Sequence, residues 1–149
     1  MKSDLQLLII EECERLQTEI DESSLKMQLP QVCKELKELK IDLLQNNHDF
    51  DLNSFLKPFL SIISCNQSID VITLIALTSL SVFINNNLIE KFDDICNVLI
   101  NCKFQFTSDY HCQMISQRIL ACINSICDKG SLSEGTLKLL FTYLLEEVN

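Results

Sequence analysis

The sequence predicts an all-α protein, an armadillo- or HEAT-like stack of about seven antiparallel helices, and three observations carry that expectation. Only two glycines and two prolines occur in 149 residues, too few turn residues for the many tight connections of a β fold. Apolar residues recur at helical spacing along most of the chain. The stretch Ser68–Asn85 (SIDVITLIALTSLSVFIN) is apolar on almost every side of a helix. Ile69, Ile72, Leu74, Ile75, Leu77, Leu80, Val82 and Phe83 cannot share one stripe about 100° wide, so neighbours must wall that helix on several faces. Asp70, Thr73, Thr78, Ser79 and Ser81 interrupt a run that barely reaches the ~18–20 apolar residues of a bilayer span. A central core helix is the better reading, with a closed bundle as the alternative architecture.

Each element has its own signature. Helix one is expected over about Ser3–Asp21, with Leu5, Ile9, Cys13, Leu16 and Ile20 on one face and Glu11, Glu12, Glu14, Arg15 and Glu19 on the others. Helix two begins near Pro30, suited to a first turn, and presents Val32, Leu36, Leu39 and Leu43. Gln45–Asp51 (QNNHDFD) reads as a polar connector and hinge. Helix three covers about Leu52–Ser64 with Leu52, Phe55, Leu56, Phe59, Leu60 and Ile63 inward, and Pro58 should kink or restart it.

Helix four is the apolar one, capped by Asn66 or Ser68 and stopped by Asn85-Asn86-Asn87. Helix five spans about Leu88–Cys102, its first turn separable. Helix six follows a cap at Ser108 or Asp109, shows Ile115, Ile119, Cys122 and Ile126 on one face, and ends at Gly130 in a left-handed cap. Ser131-Leu132-Ser133-Glu134 reads as a capping box for helix seven, whose stripe is Leu137, Leu140, Phe141, Leu144 and Val148. At this length the chain is read as one domain, 1–149, with two amphipathic helices in 1–46 and a helical core in 52–149. No repeat consensus is visible, so the stack rests on helix count and spacing.

Charge and motifs restrict the function. A formal net charge of −9 disfavours nucleic acid, which requires clustered Lys and Arg, and direct docking to anionic lipid. Met1–Arg15 carries Asp4, Glu11, Glu12 and Glu14 and lacks a basic start, so no export signal is expected. The eight cysteines then read as free buried thiols packing as small hydrophobes. They lack CxxC spacing and have only His48 and His111 for company, so no metal and no cofactor are expected. The catalytic motifs GxSxG, P-loop, GxGxxG and HExxH are absent. His111 and Cys112, adjacent on a helix, point about 100° apart and make a poor nucleophile–base pair. The chain is read as non-enzymatic. Phe104, Phe106 and Tyr110 form an aromatic cluster near a loop, either a cap on the core or an anchor for a partner.

Several of these residues also carry a family likeness. Pro58-Phe59-Leu60-x-x-Ile63, Ile72-Thr73-x-x-Ala76-Leu77-x-Ser79-x-x-x-Phe83-Ile84 and Lys103-Phe104-x-x-Thr107-Ser108-Asp109 occur in that order. Gln117-Arg118-Ile119-Leu120 and Leu132-Ser133-x-Gly135-Thr136 extend the pattern, which covers about Phe55–Leu140. It resembles the N-terminal dimerisation and cyclophilin-binding (DCB) domain of the large Golgi Arf guanine-nucleotide exchange factors, the brefeldin A-resistance branch above all. The resemblance implies an armadillo-like module that regulates exchange without performing it. It also implies vesicle traffic at the Golgi, a cytoplasmic location with indirect membrane association, and protein partners. Those partners would be a second copy, an adjacent upstream-homology region or an Arf-family GTPase. The Mon-two type of scaffold, which lacks an exchange domain, is the alternative. Position matching to relatives, with helical spacing, places an interface at Val82, Asn86, Gln113 and Gln117, with Phe104 and Phe106 as aromatic candidates. Relatives tend to carry a lysine at the position of Val82 and an acid at that of Gln113, so association here would rest on apolar packing and neutral hydrogen bonds.

Overall fold

The computed structural model describes residues 4–23, 29–45, 52–130 and 132–148. Within them the chain forms seven helices and no strand: α1 (Asp4–Glu22), α2 (Pro30–Gln45), α3 (Leu52–Ser64), α4 (Asp70–Asn85), α5 (Asp93–Ile100), α6 (Asp109–Lys129) and α7 (Glu134–Val148). The expected hinge after Gln45, and Ser131 itself, lie outside the described residues. α7 is capped by Ser133, whose Oγ accepts from Thr136 N, in place of the expected box from Ser131 to Glu134.

The apolar periodicities become the core. Ile9, Cys13, Leu16 and Ile20 of α1 are buried, as are Val32, Leu36, Leu39 and Leu43 of α2 and Ile115, Ile119, Cys122 and Ile126 of α6. In α3, Phe55, Leu56, Phe59 and Ile63 are buried, Leu60 is half-buried, and the helix runs as one element through Pro58 rather than restarting there. Phe83 of α4 receives both phenylalanines edge-on, with ring centroids 5.1 Å from Phe55 and 5.0 Å from Phe59. Offset edge contacts of this kind add to area burial.

α4 is the hub. It packs against α1, α3 and α6, while α3 also touches α2 and α5, and α5 touches α6 and α7. One row of helices is therefore α1, α4, α6, and the facing row is α2, α3, α5, α7. The most extensive packing joins α4 and α6, which run in the same direction rather than antiparallel. Their N-termini meet through hydrogen bonds between residues 68–70 and Gln105. Their C-termini meet where Lys129 donates to Asn87.

Five more expectations are corrected. Helix four starts at Asp70, with Ile69 as N-cap and no side-chain cap, in place of Asn66 or Ser68. Residues 68–70 instead form a short parallel bridge: Gln105 N donates to Ser68 O at 2.7 Å and Asp70 N to Gln105 O at 3.0 Å. Ser68 Oγ is engaged by Thr73 Oγ1 at 3.0 Å. Helix five is shorter than expected, because Asn87 adopts a left-handed conformation (φ 59°) and Leu88, Ile89 and Phe92 are buried before the helix begins. Asparagine tolerates that region better than most residues.

Three further corrections concern which face turns inward. Glu12 is buried, not on the solvated face: Arg15 Nη1 donates to its carboxylate at 2.6 and 2.7 Å, and Ser79 Oγ of α4 donates at 3.2 Å. Leu5 is exposed. On α7 only Leu140 of the expected stripe is buried; Leu137, Phe141 and Leu144 face outward, and the side chain of Val148 lies outside the description.

Candidate protein-interaction surface

Two aspartates at helix starts organise opposite ends of the helical array, Asp70 where α4 and α6 begin and Asp93 where α5 and α7 begin. Asp70, the first residue of α4, is fully buried. Its carboxylate accepts from Thr107 Oγ1 at 2.6 Å, Thr107 N at 2.8 Å and Ser108 N at 3.2 Å. Asp93, the first residue of α5, repeats the device: it accepts from Thr136 Oγ1 at 2.6 Å and Ser133 N at 3.1 Å. Each aspartate thus holds the N-terminal cap of the helix two places further along the chain. The caps themselves are local. Ser108 Oγ accepts from His111 N, and Ser133 Oγ from Thr136 N, which satisfies donors that a helix start leaves free.

The electrostatics follow from these contacts. Burial opposes charge on Asp70, but the Thr107 and Ser108 donors, helped by the His111 ring, hold its carboxyl below its ordinary value. The Thr136 hydroxyl and the donors of Ser133 lower Asp93 in the same direction.

Asp70, Ser108 and His111 are the residue types of a hydrolytic triad, yet the geometry does not perform that chemistry. The same ring nitrogen, Nδ1, faces both Ser108 Oγ at 2.8 Å and Asp70 Oδ1 at 3.6 Å. A triad requires the two partners on opposite nitrogens. The cluster is a structural clamp.

Cys13, Cys33, Cys96 and Cys122 pack as buried thiols, whereas Cys65, Cys102 and Cys112 are half-buried and Cys127 is exposed, against the expectation of eight buried thiols. Cys13 is pushed up to about 12, chiefly by burial, and burial raises Cys96, Cys102 and Cys122 to about 11. Thiolate, not thiol, is the reactive species. In native protein at pH 8 a thiol reagent is expected to modify exposed Cys127 within minutes. Cys13, Cys96 and Cys122 should react only on denaturation, as peptide mapping of the labelled protein would show. Among the described residues no three His, Cys, Asp or Glu side chains are grouped to hold a metal ion. The cleft between α2 and α3, about 210 Å³, is lined by Glu35, Glu38, Leu39, Asp42, Lys57 and Pro58. It is smaller and more polar than typical small-molecule sites.

The six candidate interface residues divide. Asn86, Gln113 and Gln117 are exposed and Val82 is half-buried. Asn86 turns its amide back onto Val82 O at 2.8 Å, closing the end of its own helix. In the parallel α4–α6 pair, Cys122 Sγ lies against Leu77 O. Val82 lies five residues beyond Leu77 and Gln117 five residues before Cys122. At 1.5 Å per residue they are displaced by roughly 15 Å along the helices. Val82 and Asn86 therefore belong to one end of the layer, and Gln113 and Gln117 to the other half. Phe104 packs half-buried against the core, whereas Phe106 and Tyr110 are exposed.

The residues that carry the family likeness are mostly those that build this framework: Phe59, Ile63, Ile72, Thr73, Ala76, Leu77, Ser79, Phe83 and Ile84 are buried, and Thr107, Ser108, Ser133 and Thr136 form the clamps. No protein-family model and no curated protein matches the chain. No helix among the described residues is long and apolar enough to cross a membrane.

Sequence reasoning missed the clamps and the outward face of α7. An aspartate that opens a helix is a visible signal, but its partner 37 or 43 residues away leaves no local trace.

Proposed function

We propose that this chain is a non-catalytic, armadillo-like regulatory module of a large Arf guanine-nucleotide exchange factor, acting in Golgi vesicle traffic through protein partners. The observation that carries the reading is the coincidence of the family-like motifs with the two-row helical framework and its paired clamps. Parallel neighbours two places apart in the chain are how successive helix pairs of a solenoid lie against each other. Such a module regulates by binding one state of a neighbouring exchange domain better than another. Its partners are a second copy, an adjacent upstream-homology region or an Arf-family GTPase, and membrane association is indirect, through them.

The test is nucleotide release from an Arf protein by a purified exchange domain, with and without this chain and its downstream region. The chain alone is expected to leave release unchanged, while its presence in the longer protein shifts the rate several-fold. Release catalysed by the isolated chain would overturn the reading. So would an encoding gene with neither an exchange domain nor an upstream-homology region.

A further inference from the structure

α7 is attached on one side only. Thr136 and Leu140 are buried against the body and Tyr143 is half-buried, while Leu137, Phe141, Leu144 and Leu145 are 45%, 69%, 36% and 58% exposed. Leu137, Phe141 and Leu144 follow the i, i+4, i+7 spacing of a helix–helix seam, and Leu145 widens it. Contiguous exposed apolar patches on monomers are often functional.

The surrounding charge selects the occupant. α5 with the turn before it, and α7, carry Glu90, Asp93, Asp94, Glu134 and Glu146 against Lys91 and Lys138, with Lys129 at the end of α6. Lys138 already lies 3.7 Å from Glu134. A second copy would bring the same acidic excess against itself, and an anionic membrane would be repelled in the same way. A basic partner is attracted.

We propose that the outer face of α7 is a docking site for an amphipathic helix whose apolar stripe is flanked by lysine or arginine. This inference stands on α7 alone and does not depend on the exchange-factor reading. The interaction matches the helix-on-groove mode of peptide recognition, with Phe141 as the aromatic anchor.

The test uses the whole chain and a fluorescent 18-residue designed helix, leucine at i, i+4, i+7 and i+11 with lysine on both flanks, read by anisotropy. Micromolar binding that weakens several-fold between low and high salt is expected. An isomer with glutamate flanks should bind at least about tenfold more weakly. Phe141→Ser and Leu144→Ser, on exposed positions, should each reduce binding at least about tenfold with an unchanged circular dichroism spectrum. Leu5→Ser, an exposed leucine on α1, should not. Any one of four results overturns the proposal: no binding by the lysine helix, equal binding by the glutamate isomer, equal loss in Leu5→Ser, or wild-type binding in both α7 variants. Sedimentation showing a dimer broken by Phe141→Ser would assign the face to a second copy instead. Flotation with anionic vesicles abolished by the same change would assign it to a membrane.

Discussion

Phe83→Ala is expected to cost about 3–5 kcal/mol, the upper range for large-to-small changes in a packed interior. The residue is fully buried and anchors two edge-on aromatic contacts at the α3–α4 junction. Its removal loses the transfer energy of the ring and leaves a cavity that the rigid α3 cannot fill. Because whole domains are stable by only ~5–15 kcal/mol, this single change should lower the chemical-denaturation midpoint sharply with little change in slope. A loss below about 1 kcal/mol would mean that the α3–α4 packing is not as described.

Asp70→Ala should be nearly as damaging, for a different reason. It strands the backbone N–H groups of Thr107 and Ser108 and the Thr107 hydroxyl, and orphaned donors of this kind cost about 2–4 kcal/mol in total once partial access to water is allowed. The pH dependence has a definite sign. The folded carboxyl lies below its ordinary value of 3.8, so its contribution is complete above the unfolded pKa and disappears as pH falls through the lower folded value. The gap in stability between wild type and Asp70→Ala should therefore shrink as pH falls below about 4. Urea titrations of both proteins on either side of that pH measure it. A gap that instead grows on acidification would show that the native state binds the protonated acid.

The sequence made the helices legible because each inner face repeats locally. α2 and α6 present the expected residues, and Gly130 ends α6 in a left-handed conformation (φ 69°). What local pattern does not contain is the identity of the covering surface. Leu137, Phe141 and Leu144 have the spacing of a buried stripe, but α7 turns Thr136 and Leu140 inward instead, because Asp93 fixes its start by binding Ser133 and Thr136. Glu12 failed for the opposite reason: a charge on an amphipathic helix is ordinarily solvated, and only the distant Ser79 and the nearby Arg15 make its burial tolerable. The candidate interface at Val82, Asn86, Gln113 and Gln117 rests on position matching and spacing alone. Spacing within a helix places residues on a face but does not align two helices, and the parallel register of α4 and α6 moves the two pairs apart.

The clamps also determine how the molecule comes apart. Asp70 reaches forward to Ser108 and Asp93 reaches forward to Thr136, so the two spans overlap, and residues 93–108 lie inside both. A repeat array whose units touch only their neighbours can lose one unit at a time. Interleaved spans remove that freedom, since no cut between α4 and α6 yields a part with its own contacts intact. α4, α5, α6 and the start of α7 are thereby bound into one cooperative unit.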